Sequence, residues 1–127
     1  MSTFQELLAQ AKSMIEETDP LGAEALISQG WVILDVREVE EYDLGIIAES
    51  ILIPQGKIEE SIEERIPNHD QPIIAMCAGG VRSAFAAVTL NELGYTNVVS
   101  MDGGFNLWKQ QGRSWASSQA LGPNQQQ

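Results

Sequence analysis

Four short apolar runs constrain this chain more than any other feature. They are Trp31-Val32-Ile33-Leu34-Asp35, Ser50-Ile51-Leu52-Ile53, Pro72-Ile73-Ile74-Ala75-Met76 and Asn97-Val98-Val99-Ser100-Met101. A strand with one wet face alternates apolar and polar residues, whereas a strand covered on both faces reads as a nearly unbroken apolar run. Helical patterns separate the four runs, so the expected fold is α/β, with a mostly parallel central sheet flanked by helices on both faces. In such folds, sites form in the crevice beyond the C-terminal ends of the strands.

The helical segments carry their own punctuation. Phe4, Leu7, Leu8, Ala11 and Ile15 recur at helical spacing, and Thr3 with Glu6 has the spacing of a capping box. Asp19-Pro20 stops that helix and opens a short one over Leu21–Ser28, with Asp19 as N-cap and Pro20 in the first turn. Further helices are expected over Val39–Leu44, Lys57–Ile66 and Ser83–Leu93, with a last one after Gly103-Gly104. Beyond Gly112 the pattern gives way to Ser, Gln, Gly and Pro. The expected organisation is an N-terminal helix over 1–18, a single domain over 19–112, and a tail over 113–127 that is mobile or packs on a partner.

Charge and cysteine usage exclude several classes. The 127 residues include 18 acidic and 7 basic ones, a net charge of −11. A surface this acidic repels phosphate backbones and anionic lipid, against nucleic-acid or membrane partners. No apolar run approaches the roughly 20 residues that span a bilayer, and the N-terminus has no signal-peptide pattern, so the cytoplasm is the expected location. The single cysteine, Cys77, forms no internal disulfide. With one histidine, His69, it builds no Cys-based zinc site either.

Cys77 nevertheless stands in a distinctive place. After the third run come Cys77-Ala78-Gly79-Gly80-Val81-Arg82-Ser83, then a helix. Glycines let successive N–H groups turn inward, the helix start adds its positive end, and Arg82 adds a full charge. Such a cradle favours an anion and lowers a thiol pKa below ~8.5, which makes Cys77 an activated nucleophile for an anionic substrate. A free cysteine is often just a small buried hydrophobe. Two glycines and an arginine after a buried strand are, however, poor core material. The loop also lacks the lysine of a nucleotide P-loop and the GxGxxG spacing.

Taken together, these pieces resemble the single-domain rhodanese, or thiosulfate sulfurtransferase, family. The likeness runs from about Leu21 to Trp108. It includes Ile33-Leu34-Asp35-Val36-Arg37-Glu38 with Glu41-Tyr42, Gly45-Ile46-Ile47, Ile53-Pro54, Gln71-Pro72-Ile73-Ile74, the Cys77–Ser83 loop, Leu93-Gly94-Tyr95, and Asp102-Gly103-Gly104 with Trp108. The resemblance implies a parallel sheet with flanking helices and transfer of sulfane sulfur. Cys77 would take the outer sulfur of a small anionic donor such as thiosulfate, become a persulfide, and pass it to cyanide, a thiol or a thioredoxin-like acceptor. The loop Ala78, Gly79, Gly80, Val81, Arg82 and Ser83 would hold the persulfide and the donor's anionic end, with no metal or organic cofactor. Related phosphatases use Cys-x5-Arg, whereas this chain has the shorter Cys77-x4-Arg82. Where family members often carry Gly-His-Ile-Pro-Gly-Ala, it has Gly45-Ile46-Ile47-Ala48-Glu49-Ser50. A reading from another class is a sulfur-relay or protein-interaction module with little turnover on free thiosulfate.

Several other polar residues have competing roles. Asp35 ends a buried strand, where it can accept hydrogen bonds from the cysteine loop, cap the next turn, or both. Arg37 either lines the pocket or pairs with Glu41 four residues on, the ion pair being the favoured reading. Ser83 either bonds the thiolate or caps its helix, capping being favoured. Trp31 and Trp108 are expected in the core, His69 in a solvated turn, and Glu59, Glu60, Glu63 and Glu64 on a solvated helix face.

Overall fold

A computed structural model of the chain describes residues 2–118. In chain order the elements are α1 (Phe4–Ser13), β1 (Glu16–Thr18), α2 (Pro20–Ser28), β2 (Val32–Asp35), a 3₁₀ turn (Val39–Leu44) and β3 (Ile51–Leu52). They continue with α3 (Ile58–Arg65), β4 (Ile73–Met76), α4 (Val81–Glu92), β5 (Val98–Met101) and α5 (Gly104–Gln110). The strands form one sheet in the order β1-β5-β4-β2-β3. Every pairing is parallel, as the unbroken apolar runs require.

Adjacent residues of each central strand point to opposite faces, so each run feeds two cores. Leu34, Ile73 and Val98 join Ile58 and Ile62 of α3 and Ala86, Ala87 and Leu90 of α4. Ile33, Ile74 and Val99 join Ala23 of α2 and Phe105 and Trp108 of α5 on the other face. Burying each large aliphatic side chain contributes roughly 1.5–3 kcal/mol. Helix α1 lies outside this sandwich against α4, where the Phe4 and Phe85 rings meet at 6.0 Å. Its Thr3–Glu6 capping box is present, and Asp19 caps α2 by accepting from the Gly22 amide at 2.8 Å.

Two expectations need correction. The helix expected over 1–18 ends at Ser13, and Glu16–Thr18 instead adds a fifth strand at the sheet edge beside β5. The short helix expected over Val39–Leu44 is present and is of the 3₁₀ kind. The start of the expected tail is seated on the body: Ile46 and Ala116 exchange both backbone bonds at 2.8–2.9 Å, and Trp108 Nε1 donates to Ser114 O. The expectation for residues 119–127 lies outside the described residues. Among the described residues, no helix is long and apolar enough to cross a membrane.

Candidate active site

Strand β4 delivers Cys77 to the C-terminal edge of the sheet, and α4 begins four residues later at Val81. The intervening loop curls around the sulfur. The amides of Gly80 and Ser83 donate to Sγ at 3.1 and 3.3 Å, and the Ser83 hydroxyl lies 3.6 Å away. Cys77 itself is 1% exposed, at the floor of the loop. Burial pushes the thiol up. The Ser83 hydroxyl and the amides of Ser83, Gly80 and Gly79 outweigh it, and the thiol ends below its ordinary value.

Two glycines make this curl possible. Gly80 has φ +104°, and a Cβ there would come within 3.2–3.4 Å of Gly103 N, Met101 O and Asp102 Cα. Gly104, at φ +58°, opens α5 directly against the loop, where a Cβ would lie 2.5 Å from the carbonyl oxygens of both Cys77 and Ala78. That approach lets the amides of Phe105 and Asn106 donate to Cys77 O and Ala78 O at 2.9 and 3.0 Å. The loop therefore points its amides at the sulfur, and its carbonyls are satisfied from behind.

The polar residues around the loop pair differently from expectation. Arg37 does not pair with the Glu41 carboxylate. It lies 2.7 Å from Asp35 Oδ2, with Asp35 0% and Arg37 1% exposed. Its guanidinium also donates to Gly45 O and Glu41 O and lies 4.6 Å from the Phe105 ring centroid. These extra partners offset the cost of burying the charges. Asp35 in turn accepts the Arg37 amide at 3.1 Å, the turn-capping role. The Glu41 carboxylate instead grips Arg82 through two bonds of 2.6 and 2.9 Å. That guanidinium, with help from the Glu38 amide and against partial burial, pushes Glu41 down to about 2. The Glu41 hydrogen bond raises Arg82 further, so the pair is fully charged throughout the physiological range.

Ser83 is no N-cap. It lies within α4, 0% exposed, and its hydroxyl joins Cys77 Sγ to Ser100 Oγ, which is 2.8 Å beyond. Trp108 is in the core and Trp31 packs half-buried beside it. His69 is partly exposed, as expected, yet it stacks on Tyr95 at 4.3 Å and its Nε2 meets Glu63 at 2.7 Å. Glu59, Glu60, Glu63 and Glu64 are exposed on α3.

Sequence reasoning missed Ser100 and the true partner of Glu41. Ser100 left one signal: it is the lone hydroxyl in the otherwise apolar run Val98–Met101. The Glu41–Arg82 pair joins residues far apart in the chain and left none.

An open parallel sheet with a cysteine cradled by backbone amides at its C-terminal edge defines the class of α/β domain. The Rhodanese-like domain family model matches residues 9–111, and the chain belongs to that family. It is a rhodanese-type sulfurtransferase with a single, buried cysteine. The thiosulfate sulfurtransferase GlpE of Pseudomonas syringae pv. syringae is 36% identical over 90 residues, 71% of this chain and 83% of that protein. The protein of the same name from Pseudoalteromonas translucida is 38% identical over 86 residues, 68% of this chain and 80% of its own. Among solved structures, a Rhodopseudomonas palustris protein of unknown function, named as a possible tyrosine phosphatase, superposes with a TM-score of 0.83 at 30% identity. The match covers 91% of this chain and 95% of that one. A thiosulfate sulfurtransferase from Pseudomonas aeruginosa superposes with a TM-score of 0.78 at 25% identity, covering 96% of this chain and 25% of its own.

Proposed function

We propose that Cys77 is the sulfur carrier. Its thiolate attacks the outer sulfur of a donor such as thiosulfate, the S–S bond breaks, sulfite leaves with the bonding pair, and Cys77–S–S⁻ remains. A nucleophile then attacks the outer persulfide sulfur and regenerates the Cys77 thiolate. The acceptor is cyanide, a thiol or a thioredoxin-like protein. The observation that carries this reading is the pair of N–H groups, Gly80 and Ser83, aimed at Sγ. In this reading they stabilise a thiolate, and the other amides of the Ala78–Val81 loop stabilise the terminal persulfide sulfur. Arg37, held by Asp35, supports the loop through Phe105, whose ring it faces and whose amide bonds Cys77 O. A free thiol kept ready for this cycle fits a reducing compartment such as the cytoplasm.

Intact-protein mass spectrometry tests the reading. Incubation with thiosulfate is expected to make the chain one sulfur atom heavier, reversibly with cyanide, and Cys77→Ser is expected to abolish both the gain and sulfur transfer. Retained transfer in Cys77→Ser overturns it. The shorter Cys-x4-Arg spacing favours a sulfur atom over a tetrahedral phosphate, so no hydrolysis of an aryl phosphate is expected.

A further inference from the structure

An anionic donor must enter a site whose charges are already matched. Arg82 is the only cation in the loop Cys77–Ser83, and both of its outer nitrogens are held by Glu41 at 2.6 and 2.9 Å. Arg37, behind the loop, is held by Asp35. The turn that supplies Glu41 also places Glu38, Glu40 and Asp43 on the exposed surface beside it. Neither residue of the loop tip, half-buried Ala78 and exposed Gly79, adds a charge. The attraction left for a donor comes from backbone amides, which suit one negative charge better than several.

Counting charge through the transfer step separates two donor classes. Thiosulfate brings two negative charges to the Cys77 thiolate. Three must then be held together while the S–S bond breaks and sulfite departs. A hydropersulfide carries at most one negative charge, and the form that reacts, R–S–SH, is neutral. The thiolate attacks its outer sulfur, the S–S bond breaks, and RS⁻ leaves with the electron pair, giving Cys77–S–SH. A single negative charge is present throughout, and no oxidant or reductant is consumed.

We propose that Glu41, by pinning Arg82, sets donor selectivity, so that the site takes sulfane sulfur from hydropersulfides in preference to the thiosulfate dianion. Glu41 acts through Arg82 and is a positioning residue. The inference rests on Cys77 being the sulfur carrier and goes beyond that reading by ranking its donors. The low pKa of Glu41 supports it, since the carboxylate stays charged on Arg82 at every pH where the thiolate works.

The test compares rates of sulfur addition to Cys77, by intact mass, from thiosulfate and from 2-hydroxyethyl hydropersulfide. N-acetylcysteine with the same two donors gives the intrinsic ratio of their reactivities. The wild-type protein is expected to favour the hydropersulfide at least tenfold more than the free thiol does. Glu41→Gln is expected to raise the thiosulfate rate at least threefold and leave the hydropersulfide rate within twofold. Gly79→Lys supplies a free cation without touching Glu41; a Cβ there meets nothing within 4 Å, and the same narrowing of the ratio is expected. Because Gly79→Lys leaves the Arg82 pair intact, it decides the matter if Glu41→Gln fails to fold. A wild-type ratio no higher than that of N-acetylcysteine overturns the proposal, as does a ratio unmoved in the folded variants. If neither donor adds sulfur to the wild type, the carrier role of Cys77 falls and the selectivity with it.

Discussion

At the scale of single residues, the site is an exercise in holding a sulfur anion with neutral groups. Two amides and one hydroxyl meet Cys77 Sγ, and the hydroxyl is itself oriented by Ser100. A thiol depressed in the folded state gains thiolate stabilisation that is present above the unfolded value, ~8.5, and is lost as pH falls through the lower folded value. Alkylation by iodoacetamide is therefore expected to reach half-maximal rate below pH ~8.5. Ser83→Ala, which removes the hydroxyl but keeps the amide, is expected to move that midpoint upward by about one pH unit, the size of one modest hydrogen bond. An unmoved midpoint would mean the amides alone set the pKa. The contrast between Ser83 and Arg37 shows where sequence was informative. The Cys77 loop was legible because glycines, helix start and thiol are contiguous. Pairings between Glu41 and Arg82 or Ser83 and Ser100 join elements brought together only by the fold. Spacing of four also misassigned Glu41 to Arg37, because Arg37 lies before the 3₁₀ turn Val39–Leu44 and the two residues share no helix face.

At the scale of elements, the decisive contact is α5 against the cysteine loop. Helix and loop approach so closely that only a glycine fits at 104, in a left-handed conformation where any Cβ would lie 2.5 Å from two carbonyl oxygens. Gly104→Ala is expected to cost at least about 1–3 kcal/mol from the backbone conformation alone. It also displaces the Phe105 and Asn106 amides that bond the loop. Thermal unfolding and the rate of persulfide formation should fall together in this variant; lost stability with an intact rate would separate the helix from the chemistry. The other elements were mostly legible, since four of five strands carry unbroken apolar runs and the helices carry their caps. Strand β1 was not, because Glu16-Glu17-Thr18 pairs on one side only, at an edge where nothing requires apolar side chains.

At the scale of the whole molecule, the net charge of −11 surrounds a site proposed to take sulfane sulfur from thiosulfate or a hydropersulfide. Long-range repulsion is screened by salt, the Debye length shrinking from about 30 Å at 0.01 M to about 8 Å at 0.15 M. The thiosulfate rate is therefore expected to rise severalfold over that range, and the rate with a hydropersulfide, which carries at most one charge, to rise less. A thiosulfate rate that falls with salt would show that local attraction outweighs the field of the surface. The topology also orders events in time. The first strand made, β1, finds its only neighbour in β5, with Glu16 waiting for Val99. The cysteine and its two amide donors are synthesised before α5, the helix that satisfies the carbonyls behind them. On a ribosome, the thiol thus emerges ahead of its own support. The same late segment that closes the sheet edge also finishes the cradle, so reactivity arrives with completion of the fold, and a chain stopped short of α5 carries the nucleophile without the setting that makes it one.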